Sequence, residues 1–125
     1  MVAYSFKQRF SAPIIAGTKR QTIRADRKRH ARAGEQLQLY TGMRTKQCKL
    51  IARATCIGVD LVMLNLADHG VVRINGIVLF SDAAMQKFAR SDGFASWADM
   101  RDFWRDNHPG VEVFEGMLIR WGDIA

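Results

Sequence analysis

Cysteine is nearly missing: Cys48 and Cys56 are the only two, with no CxxC pair and no histidine at ligand spacing from either. That scarcity argues against a disulfide framework or a zinc site and for two buried, reduced thiols in a cytosolic, cytoplasmic protein. No apolar run approaches the length of a membrane span. Met1-Val2-Ala3-Tyr4-Ser5-Phe6 holds no basic segment followed by an apolar one, so no secretion signal is expected. Repeats, low-complexity linkers and a domain boundary are also lacking, which leaves a single domain over residues 1–125. Acids are scarce in the first part of the chain. Residues 1–49 hold twelve Lys and Arg against Asp26 and Glu35, a net +10, while residues 50–125 hold seven against ten acids, a net −3.

What is present suffices for a core, since 48% of the residues are hydrophobic. The charge asymmetry suits a cytosolic polyanion, nucleic acid before all others. A membrane surface fits poorly, because no stretch joins the basic residues to a strong apolar helical face. A merely basic protein without a polyanionic partner has the same charge.

The informative stretch is Gly17-Thr18-Lys19-Arg20-Gln21-Thr22-Ile23-Arg24. A short apolar helical turn, Ala12–Ala16, runs into Gly17, a residue that tolerates the left-handed conformation ending a helix. Ser11 is placed to cap that turn, with Pro13 near its first positions. Gln21–Arg24 reads as a strand in which Ile23 faces one way and Thr22 with Arg24 the other. A hydroxyl and a guanidinium then stand side by side, with Lys19 reaching in from the turn. Cations beside a hydroxyl suit a phosphate, or a carbonyl that must be polarised. The alternative is a solvated basic hairpin.

Around this stretch Tyr4 and Phe6 alternate with Ser5 and Lys7 as a first strand. Residues 25–33, with Arg27, Lys28, Arg29 and Arg32, read as a mobile basic loop, either a solvated face or a track for phosphates. From Glu35 to Thr41, Leu37 and Leu39 point to one side and Gln36, Gln38 and Tyr40 to the other. Tyr40 on a polar face has no packing reason to be aromatic unless something covers it. After the turn Gly42-Met43-Arg44, Lys46 begins a long strand that reaches Gly58, sharing a face with Leu50, Ala52, Ala54 and Cys56; a salt bridge there is the alternative to a functional ammonium. Val59–Leu66 and Val71–Phe80 read as further strands, with Asn75-Gly76 as a hairpin turn. Ser81 caps a helix to about Arg90, and Ser96-Trp97-Ala98-Asp99 resembles a capping box. Trp97, Met100, Phe103 and Trp104 share a helical face, read as core rather than as a base-stacking platform. Val111 to Trp121 closes the chain as a strand. The expected class is α+β: a mixed or antiparallel barrel of five to seven strands with a late helical pair.

Gly17-x-Lys19-x-x-Thr22-x-Arg24 resembles the signature of the ASCH domain, a branch of the PUA-like β-barrels. Gly34-Glu35 before a strand, Asp92-Gly93-Phe94 before the capped helix and Phe114 on the closing strand agree, and the resemblance spans about Tyr4 to Trp121. It implies a barrel with a cleft beside it that binds RNA or a modified nucleoside. One activity in the family hydrolyses the acetyl amide of N4-acetylcytidine with a lysine, a threonine three residues on and a later glutamate. Lys19 and Thr22 match, and Asp92, a shorter acid, falls at the third place. Another activity is ribonucleolytic and involves a tyrosine, a lysine six residues on and a distant serine. Tyr40 and Lys46 match that spacing, with Arg44 between them as a further cation; Ser91 and Ser96 precede the last strand, and no serine stands near the C-terminus. With Arg20 and Arg24 added to the loop cations as RNA contacts, the sequence reading is an RNA-binding ASCH-type protein with weak ribonuclease activity on single-stranded RNA. An N4-acetylcytidine amidohydrolase and a non-catalytic RNA-binding module are the alternatives. No metal motif is visible, and the cofactor is left open.

Overall fold

Lys49–Asn65 forms one unbroken strand of 17 residues, β4, around which the sheet is assembled. Its even-numbered positions face the core from end to end: Ala52, Ala54 and Cys56, then Val62 and Leu64. The sequence suggested a break at Gly58. Instead the register against the last strand slips between Cys56 and Gly58, a bulge that leaves Ile57 outside and keeps the inward face in phase. A Cβ at Gly58 would meet only the far end of the Arg120 side chain, and the residue sits at the bulge within the strand rather than in a turn.

The computed structural model describes all 125 residues as an α+β fold with a seven-stranded mixed sheet and three α-helices. β1 (Val2–Phe6) runs parallel to β3 (Gln36–Thr41), and β3 pairs antiparallel with the first half of β4. The second half of β4 pairs with β7 (Val113–Trp121) on one edge and β5 (Val71–Ile74) on the other; β5 turns through Asn75-Gly76, both at positive φ, into β6 (Ile77–Val78). β2, the stretch Gln21–Arg24, pairs antiparallel with β7. β7 begins at Val113, two residues later than the sequence suggested.

The sheet does not close into the expected barrel. β1 and β2 are its two ends along the path β1-β3-β4-β7-β2, and they do not pair with each other. A side chain spans the seam instead: Arg24 Nη2 donates to the Ser5 carbonyl at 2.7 Å, with its guanidinium over the rings of Phe6 and Tyr4. Aromatic and cationic side chains fill the space that a backbone ladder would need.

Helix α1 (Ser11–Ala16) continues directly from a 3-10 turn at Gln8–Phe10. Ser11 is therefore its first residue rather than its cap, because the preceding turn already engages the backbone N–H groups of Phe10 and Ser11. α2 (Asp82–Ser91) is capped by Ser81, whose Oγ accepts from Ala84 N–H, and α3 (Trp97–Asn107) by Ser96, whose Oγ accepts from Asp99 N–H. The short Asp99 carboxylate takes the N–H of Ala95 instead of closing a full capping box. On the aromatic face of α3, Trp97, Met100 and Trp104 are buried and Phe103 is half-buried. Cys56 is buried as expected. Cys48 is exposed, because it lies in the turn ahead of β4 rather than on the strand. No helix is long and apolar enough to cross a membrane.

Candidate active site

The chain enters the seam between β1 and β2 through a locked turn. Gly17 takes φ +80°, and the N–H groups of Thr18 and Lys19 both reach the Pro13 carbonyl at 3.1 Å. Arg20 is then held on both sides: its N–H donates to Ser91 O at the end of α2, and its carbonyl accepts from Trp121 N–H on β7. Between these anchors the Lys19 side chain turns inward and is only 2% exposed. Its Nζ donates to the backbone carbonyl of Asp92 at 2.5 Å and lies 4.0 Å from the Asp92 carboxylate, above the rings of Phe10 and Phe6. Gly93, at φ +95°, leaves room for this arm: a Cβ there would stand 2.8 Å from Lys19 Cδ.

Burial dominates the electrostatics of this pair. Loss of hydration lowers Lys19 from an ordinary 10.5 to about 8, against the opposing pull of the Asp92 charge. The same cause raises Asp92 from 3.8 to about 6, although Lys19 and a hydrogen bond from Gln21 favour its charged form. Gln21 donates from Nε2 to Asp92 Oδ1 at 3.2 Å and to Phe88 O at 3.4 Å. Thr22, also buried, accepts from Arg24 Nε at 3.1 Å, so Thr22 and Arg24 share a face of β2 and Ile23 is buried on the other. Burial likewise lowers Arg24 below its usual value.

Lys19, Thr22, Arg24 and Asp92 line one cavity of about 380 Å³, which opens at the seam. Its other walls include Phe6, Phe10, Phe94 and Phe103, with Trp104, His108 and Phe114 beyond. The volume and the apolar walls with few polar groups are those of a small-molecule site. His108 stacks on Trp104 with centroids 4.3 Å apart and donates from Nδ1 to the Trp104 carbonyl, since a carbonyl only accepts.

The other sequence candidates lie elsewhere. Tyr40 is half-buried on the polar face of β3, opposite Leu37 and Leu39, with its hydroxyl donating to Gln38 Oε1 at 3.2 Å. Lys46 does not begin a strand. It sits exposed in a turn closed by Thr45 Oγ1 on Gly42 O and by the N–H groups of Gln47 and Cys48 on Thr45, bonds that use the backbone locally before β4 can start. Arg44 in the same turn has φ +68° and is exposed. Neither Tyr40 nor Lys46 lines the cavity that holds Lys19.

Among the remaining cations, Arg20 pairs with Asp123 at 2.8 Å and Arg29 with Glu35 at 2.6 Å. Arg27 lies over the Tyr4 ring at 4.6 Å, and Lys28 and Arg32 extend into solvent. The basic loop is also anchored through its backbone: Ala31 is buried, and its N–H donates to Tyr4 Oη, which also contacts His30, while Arg32 N–H donates to Glu35. The sequence reading missed Gln21 and the aromatic walls. Gln21 was visible as an amide on the Ile23 face of β2, a polar group on the buried side of a strand. No known protein family, curated protein or solved structure matches this chain. The protein contains no group of three or more His, Cys, Asp or Glu placed to hold a metal ion.

Proposed function

We propose that the protein is a hydrolase for the acyl amide of a modified nucleoside, with N4-acetylcytidine as its type substrate, in an ASCH-type, PUA-like fold. One observation carries the reading: Lys19, Thr22 and Asp92, separated by up to 73 residues of sequence, line the same aromatic cavity, and burial shifts the acidities of Lys19 and Asp92 there. A lysine near 8 has a neutral minority at physiological pH that can accept the Thr22 hydroxyl proton. The Thr22 oxygen attacks the acetyl carbon, and the oxyanion forms beside the Arg24 guanidinium. Asp92, partly protonated near neutrality, gives its proton to the departing N4 amine as the C–N bond breaks. Water then cleaves the acetyl-threonine ester, releases acetate and restores the hydroxyl. Phe6, Phe10 and Phe103 hold the pyrimidine ring.

Ribonuclease activity is the second reading, supported by the half-exposed Tyr40 hydroxyl and the unpaired exposed cations Lys46 and Arg44. RNA binding through the basic half belongs to both readings. The discriminating experiment offers the purified protein N4-acetylcytidine and a single-stranded RNA. On the amidohydrolase reading acetate release falls by about 100- to 10,000-fold in Lys19→Ala and Thr22→Ala, the usual range for acid–base and nucleophilic groups, and changes little in Tyr40→Phe. RNA cleavage that collapses in Lys46→Ala and Tyr40→Phe, with no acetate released, overturns it in favour of the ribonuclease.

A further inference from the structure

A second cavity, of about 560 Å³, adjoins the first and shares three of its residues: Ser5, Phe6 and Lys7, the end of β1 and the residue after it. Its character is opposite. Apart from Phe6 its walls are polar or small, formed by Gln8, Thr41, Gly42, Thr45 and Gln47 with the shared residues. Lys7 is exposed at the junction of the two cavities. Lys7 is the one cation in its wall; Arg44 and Lys46, exposed on either side of Thr45 in the same turn, are not wall residues, and none of these three cations pairs with an acid. No acidic side chain lines this cavity.

An aromatic slot that runs into a polar, acid-free recess with Lys7 at the junction matches the alternation of a nucleotide, a flat base joined through a sugar to a phosphate. We infer that the second cavity receives the phosphodiester flanking the base held in the first, so that the substrate is an acylated cytidine carried in single-stranded RNA rather than a free nucleoside. This rests on the amidohydrolase reading for the base, and it gives the segment Tyr40–Lys46 a role in holding the strand. Lys7 and Lys46 act there as point charges on phosphate oxygens, which exposed ammonium groups do well.

The test uses full-length Thr22→Ala protein, which binds without turning over, and three probes: N4-acetylcytidine, its 5′-monophosphate, and a short single-stranded RNA with one internal N4-acetylcytidine. The RNA should bind at least about tenfold more tightly than the nucleoside at low salt, with an advantage that shrinks as salt rises through counterion release. Adding Lys7→Gln and Lys46→Gln should bring the two affinities together, whereas Arg53→Gln, which removes an exposed cation of β4, should not. Equal affinity for RNA and nucleoside, or an RNA advantage that survives Lys7→Gln with Lys46→Gln, overturns the inference. A monophosphate that binds as tightly as the RNA overturns the strand as substrate and puts a mononucleotide in its place. Acetate released from the nucleoside by the unmodified protein, without any preference for RNA, defeats this inference and leaves the hydrolase. An RNA preference that depends on Lys7 and Lys46, without acetate from any probe, defeats the hydrolase and leaves the phosphodiester site.

Discussion

An ammonium group shut away from water holds its proton weakly, and a carboxylate in the same place holds one firmly. Lys19 and Asp92 are shifted toward each other in this way, to about 8 and about 6. Both shifts oppose folding at neutral pH. The unfolded chain binds the lysine proton more readily between about 8 and 10.5, so stability lost to Lys19 is recovered as pH rises through that window. The folded chain binds the aspartate proton more readily between 3.8 and about 6, so stability lost to Asp92 is recovered as pH falls. The same shifts set the expected rate profile. Below about 6 both groups carry protons and Lys19 cannot accept one; above about 8 both have lost them and Asp92 cannot give one. The kcat/KM for acetate release should therefore rise through about 6 and fall through about 8, limbs that belong to the pair rather than to either residue. Asp92→Asn should be slower and should lose the alkaline fall. A profile that keeps that fall in Asp92→Asn contradicts the role of Asp92 as proton donor.

At the level of elements, the site depends on a joint. The turn after α1, the end of α2 and the strand β2 meet at Arg20 and Ser91, and Lys19 passes between them into the seam. Gly93 makes the passage possible, and comparison with Gly110 separates space from backbone freedom. Both glycines have positive φ, +95° and +82°, but a Cβ at Gly110 meets nothing within 4 Å while one at Gly93 meets Lys19 and Phe10. Each alanine substitution should cost the left-handed penalty, about 1–2 kcal/mol, read as a lower melting temperature. Gly93→Ala should in addition lose acetate release, because the Lys19 arm must move, and Gly110→Ala should keep it. Equal activity in the two variants contradicts the tight passage.

For the whole molecule, local chemistry in the sequence carried much of the fold. The limits of β2, the alternation of β3, the Asn75-Gly76 turn and the Ser81 and Ser96 caps are all set by neighbours a few residues apart, so they were legible. Features decided by distant partners were not. Gly58 reads as a break until Arg120 of β7 is placed across it, and Lys46 reads as strand until the Thr45 bonds close the turn. The open seam escapes the sequence entirely, since it depends on side chains of β1 and β2 meeting where a ladder was expected. The meeting of Lys19 with Asp92 across 73 residues is of the same kind: family resemblance suggested it, and spacing alone could not. The folded protein also offers a wider cavity, about 720 Å³, between β4, β5 and β7, lined by Leu61, Val113 and Arg73 with the acids Asp26 and Glu115. The cavity that the ligand enters therefore decides the chemistry. A crystal structure of Thr22→Ala soaked with N4-acetylcytidine answers this most directly. The pyrimidine ring should lie against Phe6 and Phe10 in the seam, with its acetyl carbonyl facing Lys19 and residue 22. A nucleoside seated over β4, β5 and β7, with the seam empty, would contradict this placement.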